Sequence, residues 1–381
     1  HSESSLVFVG KLDDPKEILA GVPEGLPTIN LPLADNNPDA KEWSDIIAAN
    51  QAIADTPQPD LDDLMTIVYT SGTTGNPKGV MHSYRSLGAA PTLTQEMFTP
   101  STSERMLSYL PLSHVAERSV CEMGMFYYGY TLYFAESLDT FAEDLRRARP
   151  TIFFAVPRIW MKFQQQVYSM MPPKRLKLLL SLPIVRGLVG KKILTGMGLD
   201  QCRIALSGAA PISNSLMAFY QKIGLTICEV YGMSENFGFS HSFEIGETKV
   251  GYVGKSNPGV HTKIGDNGEI LVKSPCNMLG YYKQPDVTAE TLDEEGYVHT
   301  GDVGTIDDGY LKITGRTKEI FKTSKGKYVA PAPIENHLLN NPSIEQICVV
   351  GNGLGQPIAL LNLAESAADQ EGLIDELETL L

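Results

Sequence analysis

One stretch decides how the rest of the chain is interpreted: Thr70-Ser71-Gly72-Thr73-Thr74-Gly75-Asn76-Pro77-Lys78-Gly79-Val80. The apolar run at residues 64–69 precedes it and predicts a buried strand. Residues 80–87 follow, and Ser83 is placed to cap a helix there. The sequence therefore predicts a strand-loop-helix unit, in which backbone N–H groups at the start of the helix can face an anion.

The residue types of this loop suit a polyphosphate. Its glycines let the main chain approach a ligand closely and adopt positive φ. Hydroxyl groups come from Ser71, Thr73 and Thr74. Lys78 adds one mobile positive charge. The spacing is not that of a Walker A loop, G-x-x-x-x-G-K-[ST], because only two residues separate Gly72 from Gly75. A flexible surface turn is the plainer alternative, since Gly, Ser, Thr, Asn and Pro are common in turns.

The sequence Y-T-S-G-T-T-G-N-P-K-G-V resembles the phosphate loop of the adenylate-forming superfamily, which includes acyl-CoA synthetases, firefly luciferase and peptide-synthetase adenylation domains. Later stretches match the family's motifs in the same order over nearly the whole chain, and the likeness is greatest to bacterial long-chain fatty-acid–CoA ligases. The resemblance implies an α/β fold: a large domain of doubly wound α/β subdomains with a small β-rich subdomain, then a small α+β C-terminal domain. Alternating residues and Gly/Pro turns at 253–281 also predict the β-rich part.

The resemblance also implies a domain organisation. Residues 1–315 would form the large AMP-binding domain, 316–318 a hinge, and 319–381 a small mobile domain. In the family a sizeable segment precedes the strand expected near residues 5–10, so we expect the N-terminal part of the large domain to be missing from this sequence. The family's small domain carries a lysine near its end that contacts the carboxylate and the α-phosphate. No lysine follows Lys327, so we expect a truncated small domain and weak adenylation by this polypeptide alone.

Composition narrows the function classes. The chain has 381 residues, of which 43% are hydrophobic and 20% charged, as in ordinary globular proteins. Its net charge of −14 argues against nucleic acid as a partner, because a nucleic-acid surface needs clustered Lys and Arg. The five cysteines form no C-x-x-C pair, so neither a zinc site nor a disulfide framework is expected, and several should be buried. The sequence shows no signal peptide and no apolar run long enough to cross a bilayer.

The stretch from Cys228 to Glu235 resembles the family's adenine and metal motif, with a serine at position 234 where threonine is commoner. By the resemblance, its nucleotide contacts are Tyr231, Gly232, Met233 and Ser234. Tyr231 offers an aromatic face for adenine. Glu235, together with Thr74 of the loop, is the expected ligand set for Mg²⁺, which prefers oxygen ligands. An exposed turn beside a core tyrosine would be the default interpretation of this short motif alone.

Further matches complete the nucleotide site. By the resemblance, the remaining nucleotide-binding residues are Thr70, Ser71, Gly72, Thr73, Thr74, Gly75, Ser207, Gly208, Ala209, Ala210, Asp302 and Lys318. Asp302 would accept hydrogen bonds from both ribose hydroxyls, and Lys318 would be the hinge residue. Arg316 would lie near ribose and phosphate, where its fork geometry and permanent charge suit it. Alone, Asp302 could equally cap a turn and Arg316 could pair on the surface; the ordered set of motifs is the stronger signal.

His114 follows a predicted strand at 106–112, and in the family a histidine here borders the acyl and nucleotide pockets and gates them. A hydrogen-bonded structural histidine is the alternative. The catalytic set that the resemblance implies is Lys78, Glu235, His114 and Arg316. Residues 115–132 are apolar and aromatic; most are expected in the core, and some of them to line an acyl channel.

Residues 170–192 combine an apolar stretch with basic ends in an otherwise acidic chain. They predict either a membrane-surface patch or a helix packed on the core with snorkelling lysines, and we favour the second. The lysine-rich segment 322–331 would favour the phosphates of coenzyme A or form a solvated loop. A homodimer is compatible with these observations.

The function that the resemblance implies is activation of a long-chain fatty acid by ATP and Mg²⁺ to acyl-AMP, with release of pyrophosphate, followed by transfer to coenzyme A. The alternatives are an enzyme of the same superfamily that hands the acyl group to a carrier protein, and a non-catalytic module that binds nucleotide or acyl chains.

Overall fold

The structure is a computed structural model that describes residues 2–11, 19–34, 37, 39–70, 76–339, 341 and 343–363. The chain divides into two compact units, His1–Asp60 and Leu61–Leu381.

The described helices are α1 (Trp43–Ala49), α2 (Tyr84–Phe98), α3 (Gly124–Tyr128), α4 (Phe141–Ala148), α5 (Pro157–Met170), α6 (Pro173–Ser181), α7 (Pro183–Met197), α8 (Asn214–Ile223), α9 (Pro285–Thr291) and α10 (Pro331–Leu338). The described strands are β1 (Val7–Val9), β2 (Thr28–Asn30), β3 (Lys41–Glu42), β4 (Leu64–Thr70), β5 (Lys78–Ser83), β6 (Arg105–Ser108), β7 (Thr131–Phe134), β8 (Ile152–Ala155), β9 (Ile204–Ser207), β10 (Ile227–Tyr231), β11 (His241–Ser242), β12 (Lys255–Ser256), β13 (His261–Ile264), β14 (Glu269–Lys273), β15 (Gly280–Tyr281), β16 (Val298–Asp307), β17 (Tyr310–Arg316), β18 (Phe321–Lys322), β19 (Tyr328–Val329), β20 (Ile344–Val350) and β21 (Ile358–Leu363). A π-helical turn, Glu117–Met123, leads into α3, and a 3-10 turn covers Ser234–Asn236.

The first unit contains a small parallel sheet in the order β1-β2-β3, followed by α1. The strand expected near residues 5–10 is present but short and only partly buried. Val9 is buried, whereas Phe8 is exposed and meets Trp43 edge to face, with ring centroids 6.2 Å apart.

In the second unit, parallel strands β8, β9 and β10 form the middle of a five-stranded sheet, β12-β11-β10-β9-β8. All four residues of β8 and of β9 are buried, which is typical of parallel strands covered on both faces. The segments between these strands contain α5 to α8, as parallel connections require. One core cluster lies around Trp160, Phe153 and Tyr220. The α/β architecture expected from the sequence is confirmed.

The loop at residues 70–80 joins two antiparallel strands, which corrects the predicted strand-loop-helix unit. Strand β4 pairs with β5 so that Thr70 lies opposite Lys78 and Tyr69 opposite Gly79. The helix begins only afterwards, at Tyr84. The predicted cap is confirmed: the Ser86 backbone N–H donates to the Ser83 hydroxyl at 3.2 Å. The predicted strand is present, but it is less buried than expected, since Val68 alone within β4 is buried.

The β-rich part is an antiparallel sheet in the order β13-β14-β16-β17. It extends beyond the predicted residues 253–281, because β16 and β17 add residues 298–316. The pairing of β16 with β17 places Asp302 opposite Arg316.

After β17, helix α10 packs on the β20-β21 hairpin around Leu338 and Ile344. Among the described residues, every helix is too short or too polar to reach across a bilayer. The expected buried cysteines are present: Cys121, Cys228 and Cys276 are buried, while Cys348 is exposed.

Candidate active site

A cleft of about 510 Å³ lies beyond the carboxyl ends of β9 and β10. In open α/β sheets ligands bind at this edge. The predicted residues that line the cleft are Ala209, Ala210, Tyr231, Gly232, Met233, Asp302 and Arg316. Because β9 and β10 are parallel neighbours, with Ser207 opposite Glu229, the segments that follow them emerge side by side. The fold thus brings together motifs that lie about a hundred residues apart in the chain.

Asp302 joins two of these motifs through its carboxylate. The Tyr231 hydroxyl donates to Oδ2 at 2.7 Å, and the Arg316 guanidinium donates to Oδ1 at 2.9 Å. Burial, reinforced by the Asp302 charge, raises the pKa of Tyr231, so its hydroxyl keeps its proton and remains a donor. A carboxylate has about four acceptor positions, so Asp302 retains capacity for further donors such as a diol.

Ser207 ends β9 next to this cleft. Its Oγ is fully buried and has no hydrogen-bond partner among the described residues. A buried hydroxyl without a partner is unfavourable by about 1–3 kcal/mol, but Ser207 does not line the cleft, so its predicted contact with the nucleotide stays a prediction.

Glu235 lies on the side of the site nearest to β5. It is buried, and the Tyr281 hydroxyl donates to its Oε1 at 2.6 Å. The ammonium of Lys78 lies 4.9 Å from the centre of the same tyrosine ring. The position of Tyr281 near Lys78 follows from the pairing of β15 with β5, which places Tyr281 opposite Val80. Lys78 and Glu235 are therefore linked through an aromatic residue that the sequence did not single out.

The motif at 231–235 is also fixed from β5. The Nε2 of His82 lies 2.8 Å from the Ser234 carbonyl oxygen. A carbonyl can only accept, so Nε2 carries the proton. Burial lowers the pKa of His82 to about 4, and the ring is neutral at pH 7. His82 thus holds the backbone just before Glu235 in place.

The described part of the chain contains no group of three or more His, Cys, Asp or Glu side chains arranged to hold a metal. Mg²⁺ is commonly held by only one or two carboxylates together with substrate phosphates and water. Glu235 supplies such a carboxylate. Thr74, the second predicted ligand, lies outside the described residues.

His114 lines a second space, a mainly apolar cavity of about 150 Å³. The Ala116 backbone N–H donates to its Nδ1 at 3.2 Å, so the neutral ring carries its proton on Nε2. Burial lowers the pKa of His114. Three residues line both this cavity and the cleft: Ala209, Val230 and Gly232. The cavity and the cleft therefore adjoin at these three residues, and His114 lines the cavity side.

Several predicted residues are not gathered at the cleft. Ser71, Gly72, Thr73, Thr74 and Gly75 lie outside the described residues. Thr70 and Lys78 flank that segment on paired strands. Lys318 lies in the turn after β17 and does not line the cleft, although Arg316 and Glu319 do.

Sequence reasoning missed Glu229, which lies in β10 and lines the cleft. It is buried, which raises its pKa to about 7, while the Ile212 backbone N–H donates to Oε1 at 3.4 Å. A charged residue inside the apolar strand I-C-E-V-Y was a signal that could have identified it. His82 and Tyr281 gave no such signal, because their partners are distant in sequence.

Comparison with known proteins agrees with this geometry. A family model described as AMP-binding enzyme matches residues 1–282, and one described as AMP-binding enzyme C-terminal domain matches residues 318–380. The chain is 34% identical to the long-chain-fatty-acid–CoA ligase FadD15 of Mycobacterium tuberculosis, over 76% of this chain and 52% of that protein. It is 31% identical to long-chain-fatty-acid–CoA ligase 1 of Homo sapiens, over 93% of this chain and 57% of that protein.

The fold is shared with solved structures. The crystal structure of the anthranilate CoA ligase AuaEII in complex with anthranoyl-AMP matches with a TM-score of 0.80 at 20% identity, over 99% of this chain and 71% of that one. The chain spans about half the length of the curated relatives it matches. The predicted family is confirmed: this chain belongs to the AMP-binding enzymes.

Proposed function

We propose that this chain is part of an acyl-CoA ligase that joins a long-chain fatty acid to AMP at the expense of ATP and then transfers the acyl group to coenzyme A. The observation that carries the proposal is that the cleft, which contains Asp302 and Arg316, and the apolar cavity share the lining residues Ala209, Val230 and Gly232. A nucleotide in the cleft and an acyl chain in the cavity would meet there. The names of the curated relatives support the choice of acid and acceptor.

In the first half-reaction, a carboxylate oxygen would attack the α-phosphorus of ATP, forming an acyl–phosphate bond while pyrophosphate leaves. Arg316 in the cleft and Lys78 at the start of β5 would stabilise charge developing on the phosphates. The loop hydroxyls at 71–74 would add donors. Mg²⁺ held by Glu235 and Thr74 would supply further charge neutralisation.

The nucleoside would be held by the carboxylate and aromatic groups of the cleft. Asp302 would accept from the ribose hydroxyls, and Tyr231 would lie against the adenine. The hydrogen bond between these two side chains fixes their relative position before a ligand arrives, so little ordering would be needed on binding.

His114 would border the reacting carboxylate without acting as a base. A fatty-acid carboxyl group is already ionised at neutral pH, and the neutral His114 ring has its Nε2–H as donor. It would therefore orient the carboxylate at the mouth of the cavity.

For the second half-reaction we propose the domain division at 316–318, with 1–315 as the large domain and 319–381 as the mobile one. Rotation about Lys318 would bring the lysine-rich segment 322–331 toward coenzyme A. The thiol sulfur would then attack the acyl carbon, and AMP would leave with the former carboxylate oxygen. The family model boundary at residue 318 supports this position of the hinge.

Measured on the full-length protein of which this chain is part, fatty-acid-dependent ATP–pyrophosphate exchange tests the first half-reaction, and addition of coenzyme A or a carrier protein tests the second. We expect exchange with long-chain acids and thioester formation with coenzyme A. Acyl transfer to carrier protein alone would indicate the acyl-carrier alternative. ATP binding without any acid-dependent exchange would indicate the non-catalytic one and contradict the proposal.

We further propose that α6 and α7 rest on an anionic membrane surface. One side of this helix pair is packed in the core, where Leu176 and Leu194 are buried. The other side exposes apolar residues: Leu178, Ile184 and Leu188 are 65%, 84% and 70% accessible. Basic residues of the same pair are Lys174, Arg175, Lys177, Arg186, Lys191 and Lys192. Exposed apolar side chains next to positive charges suit a surface of anionic lipid. This exposure favours the membrane-surface interpretation over a helix that only packs on the core.

A homodimer stays a prediction. Light scattering after size-exclusion chromatography would measure it, with a monomeric mass as the contradicting result.

A further inference from the structure

The apolar cavity has a defined direction. Alternate residues of a strand point to the same face, and those of β8 and β9 that line the cavity are Ile152, Phe154, Ile204 and Leu206. Gly208 continues this row beyond the carboxyl end of β9. From Ile204 to Gly208 the wall spans four residue-to-residue steps, or about 13 Å at about 3.3 Å per step. The cavity therefore extends along the sheet, away from the cleft, toward the amino ends of these strands.

Tyr130 lies at that far end. It immediately precedes β7, whose first residue Thr131 is paired with Arg105 of β6. The Arg105 backbone N–H donates to the Thr151 hydroxyl at 2.9 Å, one residue before β8 begins. Tyr130 is buried, lines the cavity and belongs to the same core cluster as Ile152. Its ring therefore lies at the amino ends of the strands, at the opposite end of the cavity from the residues shared with the cleft.

The position of the Tyr130 ring is set by the π-helical turn and by Gly124. The Tyr130 hydroxyl donates to the carbonyl oxygen of Val120, inside the turn. A Cβ added to Gly124 would lie 2.8 Å from Cζ of Tyr130, closer than real contacts allow. The ring fits where it does because residue 124 has no side chain. Single π-helical turns are rare and are frequent at functional sites.

The cavity is small for the ligand that the proposed function assigns to it. A dry apolar cavity of about 150 Å³ holds a benzene-sized group, and an extended long-chain fatty acid is longer than the wall from Gly208 to Ile204. We propose that Tyr130 closes the far end of the cavity and sets the longest acyl chain that the protein accepts without displacing a side chain. This inference rests on the proposed function, since it concerns the acid bound at the same site.

Two substitutions should act in opposite directions. Tyr130→Ala removes the end wall of the cavity. The exchange rate with a sixteen-carbon acid, relative to a ten-carbon acid, should therefore rise by about tenfold, which is the lower end of the effect that one methylene group has in a hydrophobic pocket. Gly124→Ala adds a methyl group at the cavity lining, where it also collides with the Tyr130 ring, and should lower the same ratio. In the Tyr130→Ala variant, Gly124→Ala should lower the ratio less, because the collision with the ring is absent.

Two controls separate the ring from other effects. Tyr130→Phe keeps the ring and loses the hydrogen bond to Val120, so the length preference should stay the same while the melting temperature falls. Tyr168→Ala removes a tyrosine that packs against Phe219, with ring centroids 5.6 Å apart, outside the lining of this cavity. It should leave the preference unchanged.

The outcomes are distinguishable. Exchange with an unaltered length preference in folded Tyr130→Ala would overturn this inference and leave the proposed function intact. Absence of exchange with every acid in the unmodified full-length protein would overturn the proposed function. If Tyr130→Ala does not fold, Tyr130→Leu replaces it, and an unchanged ratio in both Tyr130→Leu and Gly124→Ala would overturn the inference.

Discussion

At the scale of single residues, the candidate site depends on side chains that hold other side chains. Asp302 receives hydrogen bonds from Tyr231 and Arg316. Tyr281 donates to Glu235 and lies against Lys78. Each pair joins residues from distant parts of the sequence, so the loss of one hub should disturb more than one predicted contact.

Asp302→Asn should weaken nucleotide binding. The amide cannot pair with the Arg316 charge and accepts less strongly from ribose, and hydrogen bonds to charged groups contribute about 1.5–3 kcal/mol. We expect the dissociation constant for AMP, measured by titration calorimetry, to rise by at least about tenfold. Asp307→Asn, on the same strand but exposed and bonded to Tyr252, is the matched control. Equal AMP affinity in Asp302→Asn and Asp307→Asn would contradict the ribose assignment.

Stability between pH 7 and pH 4 should depend on His82 and Glu229 in opposite ways. The folded-state pKa of His82 is about 4 against 6.5 when unfolded, so the unfolded chain binds the extra proton and stability is lost as pH falls below 6.5. At pH 5 this loss is about 2 kcal/mol. Glu229 has a folded-state pKa of about 7, so here the folded chain binds the proton, and stability is lost as pH rises from 4.5 to 7.

Urea unfolding of His82→Gln and Glu229→Gln at pH 7 and pH 5 measures both effects. Relative to the unmodified protein, His82→Gln should lose less stability on going to pH 5, and Glu229→Gln should lose more. The His82 account is wrong if its substitution leaves the difference between the two pH values unaltered.

At the scale of elements, the sequence was informative where a local pattern decides the structure. The cap at Ser83 was predictable because capping needs only the hydroxyl and a nearby backbone N–H. Strand β5, Lys78–Ser83, was not predictable from the sequence, because its pattern is short. It depends on hydrogen bonds from two distant strands, Leu64–Thr70 and Gly280–Tyr281. The cleft residues were predictable by resemblance, whereas His82, Glu229 and Tyr281 depend on pairings that no local pattern encodes.

The helix pair α6–α7 should bind anionic vesicles. Charge reversal of Lys174, Lys177 and Lys191 to Glu should abolish co-sedimentation with phosphatidylserine-containing liposomes, since each basic residue near such a surface contributes about 1 kcal/mol. Ile184→Ser should weaken it by removing an apolar anchor. The matched controls are the triple reversal of Lys41, Lys222 and Lys312, and Leu138→Ser, another highly exposed apolar residue. Unchanged sedimentation of the first triple variant would remove the membrane proposal.

At the scale of the whole molecule, the proposed reaction needs two arrangements of the segment after β17. Lys318 lies in a turn in which the Glu319 and Ile320 backbone N–H groups both donate to the Arg316 carbonyl. A turn can absorb a large change of backbone dihedral angles without disturbing either neighbouring sheet, which is how hinges work.

Lys318→Pro should separate the two half-reactions. Proline fixes φ near −65° and restricts the preceding residue, so we expect pyrophosphate exchange to persist while acyl-CoA formation falls by about tenfold or more. Lys318→Ala is the control: it removes the positive charge, as the proline variant does, but leaves the backbone dihedral angles unrestricted. Equal rates of thioester formation in the proline and alanine variants would argue against a hinge at this residue.

The two glycines where the cleft adjoins the cavity have a consequence for the shape of the acid. A Cβ on Gly232 would lie 2.5 Å from the carbonyl carbon of Gly238, and one on Gly208 would lie 3.0 Å from Cγ2 and 3.2 Å from the carbonyl oxygen of Val230. There is little room beside these glycines, and the Gly238 backbone cannot rotate away as a side chain does. We therefore expect straight-chain acids to be accepted and acids with a methyl branch at the second carbon to react more slowly.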